Sequence, residues 1–195
     1  MIPKKPVAGE PLYQIKVTII GSEPSIWRRI QVPGNVSLHR LHLILQAVMG
    51  WQNYHLYRFN FSGTYFGIPD PEVDAYNEIE IRDSRRTKLS RIVPMDETCF
   101  LYEYDFGDSW EHEVLVERIG VKEPKVLYPV CVSGARACPP EDCGSIPGYA
   151  ELLKVLGDPN HEEYYHMKEW SGPRFDPEKF STAKVNRLLK TMRGK

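Results

Sequence analysis

The feature that most constrains the fold is an alternating segment at residues 99–117 with a turn in its middle. Residues 99–104 read Cys-Phe-Leu-Tyr-Glu-Tyr, residues 105–108 read Asp-Phe-Gly-Asp, and residues 110–117 read Trp-Glu-His-Glu-Val-Leu-Val-Glu. Period-two alternation on both sides of a turn that contains Asp and Gly is typical of a β-hairpin. The second strand therefore has one inward and one outward set of side chains. The inward set is Trp110, His112, Val114 and Val116, and the outward set is Glu111, Glu113 and Glu117.

The same patterns predict the other elements. Residues 13–19 and 26–32 form a first hairpin, and Ser37 is a good N-cap for a helix through residue 49, after which Gly50 supplies the left-handed backbone of a C-terminal cap. Residues 55–67 read as strand, turn and strand with Gly63 at the bend, and further strands are expected at 78–81 and 126–132. Helices are expected at 149–156, at about 162–170, and from Asp176, which would cap a helix with Pro177 at its first position.

Strands that come first and helices that come last indicate an α+β fold with a mostly antiparallel sheet. The order of hairpin, helix and strands is compatible with a β-grasp-like sheet, with one helix after the first hairpin and about three helices at the C-terminus. We expect a single domain over residues 1–195. It would comprise a sheet-containing core at 12–132, a loop rich in Cys and Pro at 133–148 (the Cys/Pro loop), and a helical part at 149–193.

Composition excludes several classes of protein. The 195 residues carry 25 basic and 26 acidic side chains, for a net charge of −1, which excludes a globally basic nucleic-acid coat but not a local basic patch. No apolar run approaches the ~20 residues of a membrane helix, and the first residues lack the apolar region of a signal peptide. We expect a soluble, cytoplasmic protein with no membrane contact, whose four cysteines are reduced or metal-bound.

Several motifs along most of the chain resemble those of a known protein family. They are Gly50-Trp51, His55-Leu56, Phe59, Tyr-Asp-Phe-Gly-Asp-Ser-Trp-Glu-His at 104–112, Cys131, Ala-Cys-Pro-Pro-Glu-Asp-Cys-Gly at 137–144 and Phe-Asp-Pro-Glu at 175–178. With them the chain resembles the plasmid pRiA4b ORF-3-like family from about residue 12 to residue 189. The resemblance implies an association with transposons and plasmids, and for some members a resolvase-like label, TnpR. It implies no established activity.

The residues do not support a recombinase. His55-Leu-Tyr-Arg58 matches the His-x-x-Arg tetrapeptide of tyrosine recombinases. However, the upstream arginines at 28 and 29 lie too close to it, and the downstream tyrosines at 164 and 165 lie too far away. A serine-recombinase pattern, with an N-terminal Ser and attendant arginines, is also not visible.

The acidic hairpin is the first candidate site. Residues 96–117 hold eight carboxylates and no Lys or Arg. We expect a binding surface where the hairpin turn meets the Cys/Pro loop, with aromatic residues for apolar contact and acidic residues for specificity. Its residues are Tyr104, Asp105, Phe106, Asp108, Trp110 and Glu111.

Two other interpretations of this hairpin stay open. Asp105, Asp108 and Glu111 could ligate Mg²⁺ or Ca²⁺ in a metal-dependent hydrolase that acts on nucleic acid or phosphate esters. Alternatively, the hairpin is a solvated face that pairs with the basic run at 82–91, and the two Asp side chains make turn hydrogen bonds.

The second candidate is a structural zinc site. Cys131, Cys138 and Cys143 with the inward His112 supply the four N and S ligands that zinc takes in closed sites. The spacing is not the short Cys-x-x-Cys of knuckles and ribbons, so free buried thiols or a Cys138–Cys143 disulfide are the alternatives. His39 and His42, three residues apart beside Gln46 on the first helix, are expected to face solvent.

The third candidate is the basic C-terminus. Residues 174–195 contain seven basic and two acidic side chains. Lys184, Arg187 and Lys190 lie opposite the apolar stripe of the final helix. Such a face suits the phosphates of DNA, although an ordinary solvated amphipathic helix explains it equally well. The sequence thus predicts a non-catalytic binding module with a protein or DNA partner, and its rivals are the metal-dependent hydrolase and a DNA-binding accessory factor.

Overall fold

The fold is an α+β arrangement built on one open sheet. The computed structural model describes residues 9–70 and 79–192. Within them the strands are β1 (Pro11–Ile19), β2 (Trp27–Pro33), β3 (Tyr57–Phe61), β4 (Thr64–Gly67), β5 (Ile81–Asp83), β6 (Cys99–Tyr104), β7 (Trp110–Val121) and β8 (Val130–Ala135). Their order in the sheet is β5-β4-β3-β6-β7-β1-β2-β8, and among the described strands only β4 and β5 pair in parallel. This confirms the predicted fold class.

Five helices lie within the described residues. They are α1 (Leu38–Met49), α2 (Leu89–Ile92), α3 (Ser145–Gly157), α4 (Tyr164–Trp170) and α5 (Thr182–Thr191). In the part of the chain that the structure describes, each helix is too short or too polar to cross a bilayer.

The central hairpin of β6 and β7 forms as its alternation predicts. Tyr102 pairs with His112 and Tyr104 pairs with Trp110 across the two strands, and all four side chains are buried. Glu111 and Glu113 point to the exposed face. One face of this part of the sheet is therefore packed and the other is solvated, as is common in antiparallel sheets.

Helix α1 covers the packed face. The Ser37 side chain accepts a hydrogen bond from Arg40 N at 3.1 Å, and Gly50, at φ 94°, donates to Gln46 O at 2.8 Å. Its apolar face is fully buried through Leu38, Leu41, Ile44, Leu45 and Val48. Each such side chain stabilises the fold by about 1.5–3 kcal/mol, so packing, more than the caps, holds the helix in place.

The outer strand β8 is closed by a side chain. Asn186 on α5 accepts a hydrogen bond from Cys131 N at 2.8 Å and donates to Cys131 O at 2.8 Å. This amide therefore pairs with the edge of β8 as a neighbouring strand would. It also fixes α5 against the sheet.

Several element boundaries differ from the sequence prediction, and three of them have a physical reason or a limit in the described residues. Strand β8 begins at Val130 and not at 126, because Pro129 lacks the N–H that a strand ladder needs. Helix α3 begins at Ser145, inside the segment predicted to be loop, because Pro147 falls in the first turn where its missing N–H costs nothing. Of the strand predicted at 78–81, residue 78 lies outside the described residues and β5 covers Ile81–Asp83.

The prediction that the last helix begins at Asp176 was wrong. Asp176 Oδ1 accepts a hydrogen bond from Glu178 N at 3.0 Å in a local turn, and Pro177 O accepts one from Ala137 N at 2.9 Å. Because Pro177 O binds the Cys/Pro loop, the chain does not enter a helix there. Helix α5 begins only after Ser181, whose side chain accepts a hydrogen bond from Lys184 N. Residues 193–195, which include two of the seven predicted C-terminal cations, lie outside the described residues.

The expectation that His39 and His42 face solvent was wrong for His42. Its side chain is fully buried and stacks on Tyr57, with the ring centroids 3.5 Å apart. Its Nδ1 lies 2.8 Å from the Tyr102 hydroxyl and its Nε2 lies 2.6 Å from Asn53 Oδ1. His39 is half-buried, with Nδ1 2.8 Å from the Tyr57 hydroxyl. The polar side chains at the margin of α1 thus take part in a buried hydrogen-bond network and do not face solvent.

Candidate functional site

The turn of the β6–β7 hairpin and the Cys/Pro loop lie side by side. Asp108 Oδ2 accepts a hydrogen bond from Gly144 N at 3.0 Å, and the Tyr104 hydroxyl donates to Glu141 Oε1 at 2.5 Å. Gly148 allows the loop to fold tightly, because a Cβ there would lie 1.9 Å from Cys143 O. The expected proximity of these two segments, far apart in sequence, is confirmed.

A cluster of aromatic rings supports the junction from below. Trp51, which directly follows the C-cap of α1, donates from Nε1 to Pro139 O at 2.9 Å. Its ring centroid lies 5.1 Å from that of Tyr104, 5.9 Å from that of Trp110 and 5.3 Å from that of His112. Trp51 therefore ties the end of α1 to both the hairpin and the loop.

This packing corrects part of the predicted binding surface. Tyr104 is 0% exposed and Trp110 is 1% exposed, so neither ring is available for apolar contact with a partner. Both rings face inward because they occupy inward positions of the alternation. Of the predicted aromatic residues only Phe106 is exposed, and its ring lies 5.1 Å from the Arg58 guanidinium.

The Tyr104 hydroxyl is an organising point for the loops. It accepts hydrogen bonds from Tyr54 N at 3.0 Å and from His55 N at 3.4 Å while it donates to Glu141. Burial and the hydrogen bond to Glu141 raise the pKa of Tyr104 above its ordinary value. Glu141 also accepts a hydrogen bond from Gln52 N at 2.9 Å, so residues 52–55 and the Cys/Pro loop are joined through one carboxylate and one phenol.

An imidazole and two carboxylates meet at the surface of this junction. His55 Nε2 lies 3.1 Å from Asp142 Oδ1 and 3.6 Å from Asp105 Oδ2. Asp105 and Asp142 both have φ 60°, a backbone conformation that Asp adopts more readily than most residues. Within the described residues this is the one group of three or more His, Cys, Asp or Glu side chains whose ligand atoms all lie within 4.8 Å of one another.

A cleft of about 410 Å³ opens beside this group. Its aromatic walls are Trp51, Tyr54, Trp170 and Phe175. Glu141 and Asp142 line it as well. Tyr54 and Trp170 are 68% and 45% exposed, so these rings, unlike Tyr104 and Trp110, can touch a partner.

Comparison with known proteins places the chain in a family. A family model described as plasmid pRiA4b ORF-3-like protein matches residues 11–184. The chain belongs to this family. The uncharacterized protein y4hQ of Sinorhizobium fredii (strain NBRC 101917 / NGR234) is 36% identical to this pRiA4b ORF-3-like protein over 189 residues, which are 94% of this chain and 93% of the relative.

A solved structure supports the fold. The crystal structure of MM3350, a protein of unknown function from Methanosarcina mazei Go1, is 38% identical in sequence and has a TM-score of 0.79. The match covers 91% of this chain and 99% of that chain. These findings confirm the pRiA4b ORF-3-like resemblance. The association with transposons and the TnpR label stay predictions.

The predicted zinc ligands of this pRiA4b ORF-3-like protein do not come together. Cys138 Sγ accepts a hydrogen bond from Arg28 Nη2 at 3.1 Å, whereas His112 Nδ1 lies 3.2 Å from Tyr102 O. Cys131, Cys138, Cys143 and His112 are not among the side chains that converge within 4.8 Å, although all four are described. His112 does face inward, as predicted, but it packs on Trp51 and not on thiols. Cys138 therefore pairs with a buried arginine and not with the other predicted ligands.

The four cysteines of this pRiA4b ORF-3-like protein are free thiols. Burial raises the pKa of Cys131 and of Cys138 to about 11. Burial and the nearby Asp108 raise the pKa of Cys143 to about 12. All three are thus protonated at neutral pH, which is typical of structural and not of reactive cysteines.

The predicted Mg²⁺ or Ca²⁺ set is also dispersed. Asp105 Oδ1 accepts a hydrogen bond from Gly107 N at 2.9 Å, whereas Asp108 reaches across to Gly144. Glu111 is exposed and stands outside the converging group. Asp105 therefore makes the turn hydrogen bond that the alternative interpretation expected, and Asp108 connects the turn to the Cys/Pro loop.

Within the described residues, Glu103 and Glu117 of the hairpin pair with arginines outside the basic run at 82–91. Glu103 pairs with Arg58 at 2.6 Å and Glu117 pairs with Arg29 at 2.7 Å, while Arg85 turns to Asp83 at 2.9 Å. The partners come from β2 and β3, the strands that flank the hairpin and its neighbour β1. Sequence reasoning missed them because strand order cannot be read from the chain.

The C-terminal cations are accessible. Lys184, Arg187 and Lys190 are exposed along α5, and within the described residues none of them forms an ion pair. Val185 and Leu189 are buried on the opposite face, whereas Leu188 is 52% exposed. The face lies on a different element from the cleft.

Proposed function

We propose that this protein is a non-catalytic binding module that takes a cationic side chain of a protein partner, Lys or Arg, in the cleft beside the hairpin turn. The main support for this proposal is the composition of the cleft, which is lined by both exposed aromatic rings and acidic side chains. Pockets of aromatic rings and carboxylates recognise cations through the negative ring faces and through charge.

Charge supports a cationic partner. Within the described residues no Lys or Arg forms an ion pair with Asp105, Asp108, Glu141 or Asp142. Glu141 accepts one hydrogen bond at each oxygen, and an ionised carboxylate has room for more. Among the carboxylates that line the cleft, Glu141 is thus available to a cationic ligand.

The aromatic rings support the same ligand. Tyr54 precedes His55 in the loop after α1, and Trp170 ends α4, so two separate segments present rings across the cleft. A cation–π contact contributes about 0.5–2 kcal/mol, which corresponds to a two- to thirtyfold effect on affinity. Removal of either ring should weaken binding without disturbing the core, because both rings are exposed.

The test uses short peptides as probes. Acetylated Gly-X-Gly amides with X as Lys, Arg or norleucine are titrated into the full chain and followed by NMR shifts. The cationic peptides should perturb residues that line the cleft, whereas norleucine, which keeps the aliphatic chain without the charge, should not. Binding should weaken with added salt, since the carboxylate contribution is screened.

Matched variants make the result specific. Tyr54→Ala and Trp170→Ala should each weaken binding, whereas Tyr165→Ala, an exposed aromatic that does not line the cleft, should leave it unchanged. Equal binding of the norleucine peptide, or equal loss in all three variants, would contradict the proposal.

A further inference from the structure

We infer that His55, Asp105 and Asp142 form a binding site for one first-row divalent metal ion, with Zn²⁺ as the best fit. The ligand atoms are His55 Nε2, Asp105 Oδ2 and Asp142 Oδ1. The inference goes beyond the cationic cleft, which needs no metal.

The separations of the ligand atoms fit a metal. Zinc bonds to imidazole nitrogen and carboxylate oxygen at about 2.0–2.2 Å, so two ligands of a tetrahedral ion lie about 3.3–3.6 Å apart. The two distances from His55 Nε2 are 3.1 Å and 3.6 Å, and the whole group lies within 4.8 Å. Small side-chain rotations would bring all three ligand atoms to bonding distance.

One oxygen of the Asp105 carboxylate is free to bind a ligand. Asp105 is only 7% exposed, and its Oδ1 is used by Gly107 N. Its Oδ2 has no hydrogen bond within the described residues, and its contact is His55 Nε2 at 3.6 Å, beyond hydrogen-bond range. Asp105 Oδ2 is therefore free to accept a metal ion beside His55 Nε2.

The histidine nitrogen is the unsatisfied buried atom of this group. His55 Nε2 is shielded from solvent and makes no hydrogen bond of acceptable geometry, although two carboxylate oxygens flank it. An imidazole nitrogen that lies beside two carboxylates without a hydrogen bond is in a suitable position to bind a metal ion together with them.

The ligand types select the metal. Imidazole favours Zn²⁺ and other late first-row ions over Mg²⁺ and Ca²⁺, which prefer all-oxygen sites. Three protein ligands leave at least one position open, as in metal sites that also bind a water or an exogenous ligand. The open position would face the solvent side of the junction, because Asp142 is the most exposed ligand, with 68% of its side chain accessible.

The decisive experiment measures metal binding by the full chain. Protein treated with EDTA and then freed of the chelator is titrated with Zn²⁺ by calorimetry, and with Co²⁺ while its d–d absorption is recorded. We expect one Zn²⁺ per chain and much weaker binding of Mg²⁺ and Ca²⁺. Bound Co²⁺ should show the intense d–d absorption of a four- or five-coordinate ion.

Four variants locate the site. Asp142→Asn and His55→Gln should each weaken Zn²⁺ affinity at least about tenfold, since even residues one layer beyond the ligands alter affinity by 10- to 100-fold. Glu111→Gln and Cys138→Ser, which alter the acidic hairpin and the thiol pocket outside the site, should leave it unchanged. Asp142 is largely exposed, so its variant should fold even if His55→Gln does not.

Each outcome decides the matter. No Zn²⁺ binding, or unchanged affinity in Asp142→Asn, overturns the metal site, and loss of zinc in Cys138→Ser would move the metal to the cysteines. The peptide titration is repeated on metal-free protein. Peptide binding by metal-free protein keeps the cleft proposal when the metal site fails. Zn²⁺ binding without any peptide binding keeps the metal site and contradicts the cleft proposal.

Discussion

At the scale of single residues, Arg28 is the most unusual side chain of the core. It is 1% exposed, and the groups that accept from its guanidinium are Val48 O, Trp27 O and Ala135 O, each at 2.8 Å, and Cys138 Sγ. The Phe180 ring lies 4.1 Å from the guanidinium carbon. A planar fork of five donors can satisfy carbonyls on β2, β8 and α1 at once, and it thereby joins these elements.

Replacement of the Arg28 guanidinium by the single ammonium group of lysine should destabilise the fold. Arg28→Lys removes donors from several buried carbonyls, and we expect a loss of about 2–4 kcal/mol in the free energy of unfolding, measured by urea denaturation. Arg29→Lys, at a half-exposed pair with Glu117, is the matched control and should cost less than about 1 kcal/mol. Equal costs for the two variants would contradict the role given to Arg28.

Alternation along β2 establishes that Arg28 and Arg29 face opposite sides of the sheet, so one of them points inward. The partners of Arg28 were not predictable, because Ala135 and Cys138 lie more than a hundred residues further along the chain. The same limit explains the zinc prediction. Cysteine spacing shows which thiols can approach one another, but not that an arginine from another strand donates a hydrogen bond to one of them.

At the scale of elements, Asp108 links the hairpin to α3. Gly144 is the N-cap residue of α3 and offers no side-chain cap, and its N–H donates to Asp108 Oδ2. A carboxylate from the hairpin thus stands at the N-terminus of the helix, where negative charge is favourable. This hydrogen bond connects the hairpin turn to the start of α3.

Loss of this acceptor should loosen the junction. Asp108→Ala is expected to cost about 1 kcal/mol, seen as a fall of about 2–4 °C in Tm, because the Gly144 N–H loses its partner. Asp108→Asn keeps an acceptor oxygen and should stay closer to the wild type. An unchanged Tm for the Ala variant would show that the bond contributes nothing to stability.

Helix α5 carries the prediction of DNA contact. Replacement of Lys184, Arg187 and Lys190 by Gln should make the plot of log affinity for duplex DNA against log salt shallower by about 2–3, since each phosphate contact contributes about 0.9. The fold should be unaffected because these side chains are exposed and form no ion pair among the described residues. A double variant, Lys154→Gln with Lys168→Gln on α3 and α4, serves as control. An unchanged slope in the triple variant would remove α5 from consideration.

At the scale of the whole molecule, the packed side of the sheet combines an apolar core with buried imidazoles. Burial lowers the pKa of His42 to about 3 and that of His112 to about 4, from an ordinary value of 6.5. Both side chains are therefore neutral in the folded protein at neutral pH. Unfolding exposes them to water, where they regain their ordinary pKa.

Stability should consequently depend on pH. Below about pH 6.5 the unfolded chain binds protons that the folded chain does not, so the free energy of unfolding falls as the pH drops towards 4. The slope is about 1.4 kcal/mol per pH unit for each such histidine. Urea midpoints at pH 7.5 and 5.0 measure the fall. His42→Gln should reduce the slope, and His166→Gln, an exposed control, should not.

Much of the architecture was predictable, because it depends on local chemistry: alternation set both hairpins, and Ser37 and Gly50 set the ends of α1. The meeting of the hairpin turn with the Cys/Pro loop was also expected. The composition of the candidate site was not. His55 and Asp142 come from separate loops that only the folded chain brings to Asp105, and Trp170 reaches the cleft from α4.

The amide of Asn186 has a consequence for how copies of this protein meet one another. An outermost strand with free N–H and C=O groups is a template on which a second molecule can extend the sheet, and so begin fibrous aggregation. Here both groups of Cys131 are already taken. An incoming chain would have to displace Asn186 to pair with Cys131, so strand addition at this position is hindered for as long as α5 stays docked.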